Sequence, residues 1–139
     1  MKRIYYAALS YMILGLGLGV MYREITRFFD VTNTTKLSLL HTHTFVLGML
    51  FFLLVLLLEA KFTLSNTKQF KLFYWHYNAG LLLTLVMMAY IGLQQLGGAY
   101  QASGMVAGLS GVGHILLAVG LGFFFAALGK QVLPVRVKG

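Results

Sequence analysis

The sequence contains no cysteine and only three acidic residues, Glu24, Asp30 and Glu59. Without cysteine the chain can form no disulfide, no iron–sulfur cluster and no metal site with a thiolate ligand. Charged residues make up 10% of the chain, whereas a soluble domain usually has about a quarter of its residues charged. The shortage of charge argues against a water-soluble domain and predicts an integral membrane protein with a single domain.

Four apolar runs are each long enough to cross a bilayer core, for which an α-helix needs about 20 residues. They cover residues 4–22, 34–58, 70–93 and 104–128. The runs lack the alternation of polar and apolar residues that the strands of a membrane barrel show. The sequence therefore predicts an all-α, multi-pass four-helix bundle that comprises residues 1–139 and has membrane lipid around it.

The formal net charge of +8 is of the kind found in nucleic-acid-binding proteins. The basic residues, however, are not gathered in one patch but stand at the ends of the apolar runs. In that position they act as topology signals. Only three basic residues, Arg23, Arg27 and Lys36, fall in the first and third loops. The other eight belong to the N-terminus, the second loop and the C-terminal tail: Lys2, Arg3, Lys61, Lys68, Lys71, Lys130, Arg136 and Lys138. The positive-inside rule then predicts that both termini are cytoplasmic, and no nucleic-acid partner is expected.

Three histidines are predicted to lie inside the membrane, where an ionisable residue is by default functional because its burial is costly. His41 and His43 belong to the second run and His114 to the fourth. With a rise of about 1.5 Å per residue, all three fall in the outer half of the membrane. His76 falls near the inner face, among aromatic residues typical of the interface. We therefore predict that His41, His43 and His114 bind a metal and that His76 does not.

The spacing of His41 and His43 restricts the kind of metal site. Two residues correspond to a rotation of about 200° around a helix axis, so the rings point in nearly opposite directions. Chelating pairs on one helix stand three or four residues apart. The pair therefore fits a helix that serves two sites, or one ligand and one hydrogen-bonding partner. Because no thiolate is available, we predict haem b whose iron is bound by imidazole nitrogen on both faces.

Residues near these histidines are candidates for holding a haem. Gly48 stands seven residues after His41 and on the same helix face, and Gly111 belongs to a stripe of glycine and alanine beside His114. Such a stripe could admit a flat macrocycle, but it equally suits close packing of two helices. Arg23 is a candidate partner for a haem propionate, because arginine binds carboxylates through paired hydrogen bonds.

Residues 22–24, 40–43, 47–52 and 111–117, together with Glu59, form a recognisable pattern. In this pattern, and over nearly its whole length, the chain resembles a family of small four-helix bacterial membrane proteins that is catalogued as a domain of unknown function. The resemblance implies a bacterial cytoplasmic membrane protein and brings no activity with it.

The His-x-His pair is also similar to a pair in the main subunit of haem–copper oxidases and nitric oxide reductases. There the two histidines of one helix bind two different haems, and twelve spans form three arcs of four. By this analogy the chain corresponds to one arc, with His41 and His43 in the second helix. The chain lacks the further histidine cluster that would hold copper, so oxygen or nitric oxide reduction by that mechanism is not implied.

Three functions remain open at this point. The first is a haem b protein for electron transfer or for binding oxygen or nitric oxide, with a quinol or another redox partner. The second is a metal-ion or proton transport protein that uses the membrane histidines, and the third is a non-catalytic accessory protein. Whether the protein is an enzyme stays open.

The opposed rings of His41 and His43 further predict a homo-oligomer, with three copies expected first and two second. Each haem would lie between His41 of one subunit and His43 of the next. The rival arrangement keeps the haem within one subunit, between His114 and one histidine of the second run.

Overall fold

The structure, a computed structural model, describes residues 1–29, 35–98, 100–101 and 103–133. It contains four long helices, α1 (Lys2–Phe28), α2 (Leu37–Phe62), α3 (Lys68–Leu96) and α4 (Gly104–Val132). All four are apolar and long enough to cross a bilayer, which confirms the predicted all-helical fold with four candidate membrane spans. The predicted start of the second span near residue 34, and the basic residues 136 and 138, lie outside the described residues.

The helices extend beyond the apolar runs, because polar residues at their ends continue the helical backbone. The last two turns of α1 include Arg23 and Arg27. α2 ends at Phe62. The next residue, Thr63, adopts a left-handed backbone conformation (φ 52°, ψ 47°) and leads into a short 3-10 turn. The hydroxyls of Thr67 and Ser103 accept hydrogen bonds from backbone N–H groups three residues later and so cap α3 and α4.

α2 is not a regular α-helix along its whole length. Its first part, Leu37–His43, is α-helical, the segment Thr44–Leu50 is π-helical, and Phe51–Phe62 is again α-helical. π-helical turns are rare and occur frequently at functional sites. The hydroxyl of Tyr77 on α3 donates a hydrogen bond of 2.9 Å to the carbonyl of Leu47 within the π segment. The wide turn therefore begins directly after the histidine pair and has a partner on a neighbouring helix.

α2 crosses its neighbours obliquely. α1 packs along all of α2, and α3 packs along α4. Within the described residues, only the first half of α2, Leu37–Leu50, has Cα atoms within 8 Å of Cα atoms of α3. Only the second half of α2, Phe51–Phe62, has Cα atoms within 8 Å of Cα atoms of α4. The first half of α2 and the facing part of α4 are therefore separated, and we call the space between them the α2–α4 cleft.

Aromatic side chains fill the other end of the bundle. The rings of Phe51, Phe52, Phe73, Tyr77 and Phe124 contact one another, with centroids between 4.6 and 6.2 Å apart. Aromatic pairs of this kind stabilise a fold by about 0.5–1.5 kcal/mol each beyond the burial of their surface. We call this the aromatic end. The opposite end, where α1 and α3 finish and α2 and α4 begin, is the histidine end.

Candidate functional site

Three of the four histidine rings are anchored in the same way. Nδ1 of His43, His76 and His114 lies 2.9, 2.8 and 2.8 Å from the carbonyl oxygen of the residue four positions earlier. Because a carbonyl only accepts hydrogen bonds, Nδ1 carries the proton in each ring and Nε2 keeps its lone pair. Histidines that bind metals characteristically donate their other ring N–H in this manner, which orients the ligand nitrogen.

His41 is different, and it faces α1. Its Nδ1 is buried and has no hydrogen-bond partner among the described residues. Its Nε2 is 3.4 Å from the hydroxyl oxygen of Thr42, and its ring meets Phe45 edge-on with centroids 6.5 Å apart. A Cβ added at Gly19 of α1 would lie 3.9 Å from the His41 Cβ. The His41 ring is therefore held at the contact between α1 and α2, without an anchoring hydrogen bond.

His43 points away from α1. The stretch from Leu37 to His43 is α-helical, so the two-residue spacing sends the rings of His41 and His43 to opposite sides, as the sequence predicts. His43 is half-buried and lines a shallow cavity of about 220 Å³ with Thr42, Val46 and Leu47. In the described part of the chain, no three or more His, Cys, Asp or Glu side chains come together as a metal site. A ready-made chelate is therefore not what this arrangement offers.

His43 and His114 belong to the two helices that flank the α2–α4 cleft. His114 is exposed on α4 and borders a cavity of about 50 Å³ with Ser110, side chains of α3 and Lys36. Lys36 directly precedes α2 and stands two helical turns before His43, so the two residues lie on the same side of that helix. Lys36 thus lies in the wall of the His114 cavity and on the His43 side of α2, whereas the two histidines line separate cavities.

The two histidines also lie at similar depth. α2 begins level with Gly92 of α3, where an added Cβ would be 2.7 Å from the backbone nitrogen of Leu37. On α4, Gly113 directly precedes His114. A Cβ added at Gly113 would lie 2.6 Å from the hydroxyl oxygen of Thr84 on α3, so α4 passes α3 at this level. Measured along α3, His43 is thus level with position 86 and His114 with position 83. At about 1.5 Å per residue, their backbones differ in depth by about 5 Å.

Two polar residues of the cleft were missed by the sequence analysis. Thr84 is only 3% exposed, and its hydroxyl oxygen has no hydrogen-bond partner among the described residues. It lines the small cavity together with Lys36 and His114. From the sequence, Lys36 was predicted only to be a topology signal. The position of Lys36 beside the cleft depends on the oblique crossing of α2, which the sequence does not predict. A threonine inside an apolar run was the available signal for Thr84.

The remaining predicted site residues lie apart from the cleft or at its edge. Arg23 is exposed near the end of α1, which packs on a side of α2 away from α4, so the structure does not bring it to the cleft. Gly48 is buried, and an added Cβ would lie 2.5 Å from the Tyr11 ring, so α1 occupies the space at this glycine. Gly111 has open space around it, three residues before His114.

The glycine and alanine stripe of α4 faces outward. An added Cβ would meet no atom within 4 Å at Gly104, Gly108, Gly111 or Gly122. A second row of glycines does pack within the chain: a Cβ at Gly120 would be 2.9 Å from a backbone atom of α3. Close packing inside the bundle therefore uses the second row, and the stripe beside His114 is left uncovered by the described part of the chain.

Comparison with known proteins gives a family but no activity. The model of the family DUF2871, whose description is "Protein of unknown function", matches residues 1–131. The match reaches from α1 into the last turn of α4, and it confirms the resemblance stated from the sequence. Neither a curated protein nor a solved structure matches the chain.

Proposed function

We propose that this chain, which belongs to the DUF2871 family, is a haem b-binding membrane protein that holds its haem in the α2–α4 cleft. In this proposal Nε2 of His43 and Nε2 of His114 would hold the haem iron. The observation that carries it is that both rings are anchored through Nδ1, on the two helices that flank one cleft and at similar depth. Haem bound there would supply an iron for electron transfer or for binding a small gas.

The chemistry of the cleft fits such a ligand. Neutral imidazole nitrogen is a common axial ligand of haem iron. Lys36 at the mouth of the cleft carries an ammonium group that can bind a propionate through a charge-assisted hydrogen bond. Thr84 adds a hydroxyl without a partner among the described residues.

Of the two ligation schemes, the geometry favours the one within a single subunit. His41 lies against α1 and lacks the anchoring hydrogen bond, so it is poorly prepared to serve as a ligand for a haem shared with a neighbour. The proposed protein is a homo-oligomer, with a trimer as the first expectation and a dimer as the second. The exposed small-residue stripe supports this part, because flat glycine faces let helices of neighbouring subunits approach closely.

Orientation and location belong to the same proposal. The basic residues of the chain are concentrated at the aromatic end, which by the positive-inside rule faces the cytoplasm. The cleft would then open toward the outer side of a bacterial inner membrane, within reach of a quinol or another redox partner. Reporter fusions after Lys36 and after Lys68 should report opposite sides of the membrane, and the same side for both would contradict this orientation.

The decisive experiment is a visible absorption spectrum of the full chain, purified after expression with ample haem. We expect a Soret band and sharp bands in the reduced protein, as two nitrogen ligands give, at one haem per subunit. His43→Ala and His114→Ala should each remove the haem. His76→Ala is the matched control, because its ring makes the same hydrogen bond at the aromatic end. A protein supplied with haem that shows no Soret band refutes the proposal, and stoichiometric zinc or copper instead supports metal transport.

A further inference from the structure

A long groove separates α1 from α3 at the aromatic end. Two adjacent cavities, of about 420 and 430 Å³, share Arg3 and Tyr74 in their walls. They meet where the Tyr74 hydroxyl donates a hydrogen bond of 3.4 Å to the carbonyl of Arg3. Within the described residues no Cα atom of α1 comes within 8 Å of α3. We call this space the α1–α3 groove.

The groove has the length of one membrane leaflet. Its wall on α1 extends from Arg3 to Leu14, which corresponds to about 16 Å of helix. The hydrocarbon core of a bilayer is about 30 Å thick, so the groove spans about half of it. Trp75 at the mouth is 70% exposed, and such aromatic residues typically sit at the level of the lipid headgroups. The groove thus begins at an interface and ends near the membrane midplane.

The mouth of the groove is strongly basic. Lys2, Arg3 and Lys71 line it together with Ser65. Glu59 is the one acidic residue at this end of the chain. It is buried, and its carboxylate accepts hydrogen bonds from the backbone N–H and the hydroxyl of Ser65. The positive charge of the mouth is therefore left to attract an anion.

Deeper in the groove, the buried part of the wall has two polar side chains that are hydrogen-bonded within the protein, Tyr11 and Asn78. The hydroxyl of Tyr11 donates to the side-chain oxygen of Asn78 at 2.9 Å, and the Asn78 amide donates to the carbonyl of Tyr74 at 2.7 Å. What remains for a ligand is mainly the apolar surface of aromatic and aliphatic side chains. An alkyl chain suits that surface, since it brings no hydrogen-bonding group of its own.

We infer that the α1–α3 groove binds an anionic phospholipid. The phosphate lies against Lys2, Arg3 and Lys71, and one acyl chain runs along the groove toward Leu14. Basic pockets between membrane helices on the cytoplasmic side are known to bind phospholipid headgroups by charge. The site is independent of the haem proposal, because it lies at the opposite end of the bundle from the α2–α4 cleft.

The test is native mass spectrometry of the full chain in a mild detergent, with phosphatidylglycerol and phosphatidylcholine of identical acyl chains. We expect phosphatidylglycerol to be retained about fivefold more, or better, since each basic residue near an anionic headgroup favours binding by about that factor. Arg3→Gln combined with Lys71→Gln should remove most of the preference and leave only the part that Lys2 supplies. Lys61→Gln combined with Lys68→Gln, outside the groove at the same end, is the matched control and should keep it.

A second pair of variants tests the acyl chain. Ser10 is an exposed residue of the groove wall, and Ser10→Trp should displace the lipid. Ile13 is exposed on the same helix outside the groove, and Ile13→Trp should not. Equal retention of both lipids by the unmodified protein overturns the inference, as does lipid that survives Ser10→Trp. Displacement of phosphatidylglycerol by millimolar inorganic phosphate overturns it too, since that marks a plain anion site.

Discussion

The aromatic end and the histidine end of the bundle are built in opposite ways. At the aromatic end, rings fill the space between helices, and even the buried carboxylate of Glu59 has two hydrogen-bond partners. At the histidine end, three buried polar atoms have no partner among the described residues: Thr35 Oγ1, His41 Nδ1 and Thr84 Oγ1. Each such atom costs about 1–3 kcal/mol. The aromatic end stabilises the fold, while the histidine end keeps buried polar atoms that the described residues leave without partners.

The histidines repeat this contrast. His76 and His114 make the same hydrogen bond to the backbone, but His76 lies against the ring of Phe123 with centroids 5.4 Å apart. His114 instead borders a cavity beside an unpaired hydroxyl. An anchored ring is thus a local property of a histidine on a helix. A candidate haem site also requires open and polar surroundings, which His114 has and His76 lacks.

The largest expected effect of a single change is at the aromatic end. Phe73 is fully buried in the ring cluster, and Phe73→Ala should lower the free energy of unfolding by about 3–5 kcal/mol through the cavity it leaves. Phe125→Ala is the control, since that ring is 65% exposed. Unfolding by detergent titration, followed by helical circular dichroism, measures the difference. Equal effects of the two changes would mean that the cluster does not hold this end together.

The sequence predicted the parts of the structure that depend on composition and spacing. The length and polarity of the apolar runs predict four helices, and the two-residue spacing predicts the divergence of His41 and His43. The π segment was not predicted, because it depends on contacts between helices, such as Tyr77 with the Leu47 carbonyl. The position of Lys36 beside His114 was not predicted either, because it follows from the way α2 crosses α3.

The glycines of α4 show the same limit. One row packs tightly on α3 and the other faces outward, yet both have the small-residue spacing that marks helix packing. The sequence therefore left two readings open for the stripe beside His114. Only the arrangement of the helices distinguishes the row that packs from the row that is uncovered.

The next largest effect is expected from these two rows. Gly113→Ala places a Cβ 2.6 Å from the Thr84 hydroxyl and 3.2 Å from its backbone nitrogen, so α4 must shift away from α3. We expect a loss of about 1–3 kcal/mol in the free energy of unfolding. Gly111→Ala, two residues earlier, meets no atom of its own chain and should leave the stability of the dissociated monomer unchanged. The same titration compares them. A destabilising Gly111→Ala would show that the stripe is covered by another helix or subunit.

A smaller effect is expected from the basic residues of the histidine end. If Lys36 binds a haem propionate, Lys36→Gln should weaken haem retention about tenfold, the usual worth of a charged hydrogen bond. Arg23→Gln removes the same charge at this end, on α1 and away from the cleft, and should have little effect. Transfer of haem to excess apomyoglobin measures the rate of loss. If Arg23→Gln loses haem faster than Lys36→Gln does, the propionate binds Arg23 and the haem lies closer to α1.

The smallest expected effect comes from removing one oxygen atom, the hydroxyl of Tyr77, which joins the aromatic cluster to the π segment. The ring of Tyr77 belongs to the aromatic cluster, and its hydroxyl bonds to the Leu47 carbonyl of the π segment, which begins directly after His43. Tyr77→Phe keeps the ring and removes only that hydrogen bond, so we expect a loss of about 1 kcal/mol in the free energy of unfolding. Tyr90→Phe is the control, because that side chain is 48% exposed on the same helix. If the π segment positions His43, Tyr77→Phe should also shift the reduced spectrum of the haem, whereas Tyr90→Phe should not. Lower stability with an unchanged spectrum would mean that the aromatic end supports the π segment without influencing the histidine end.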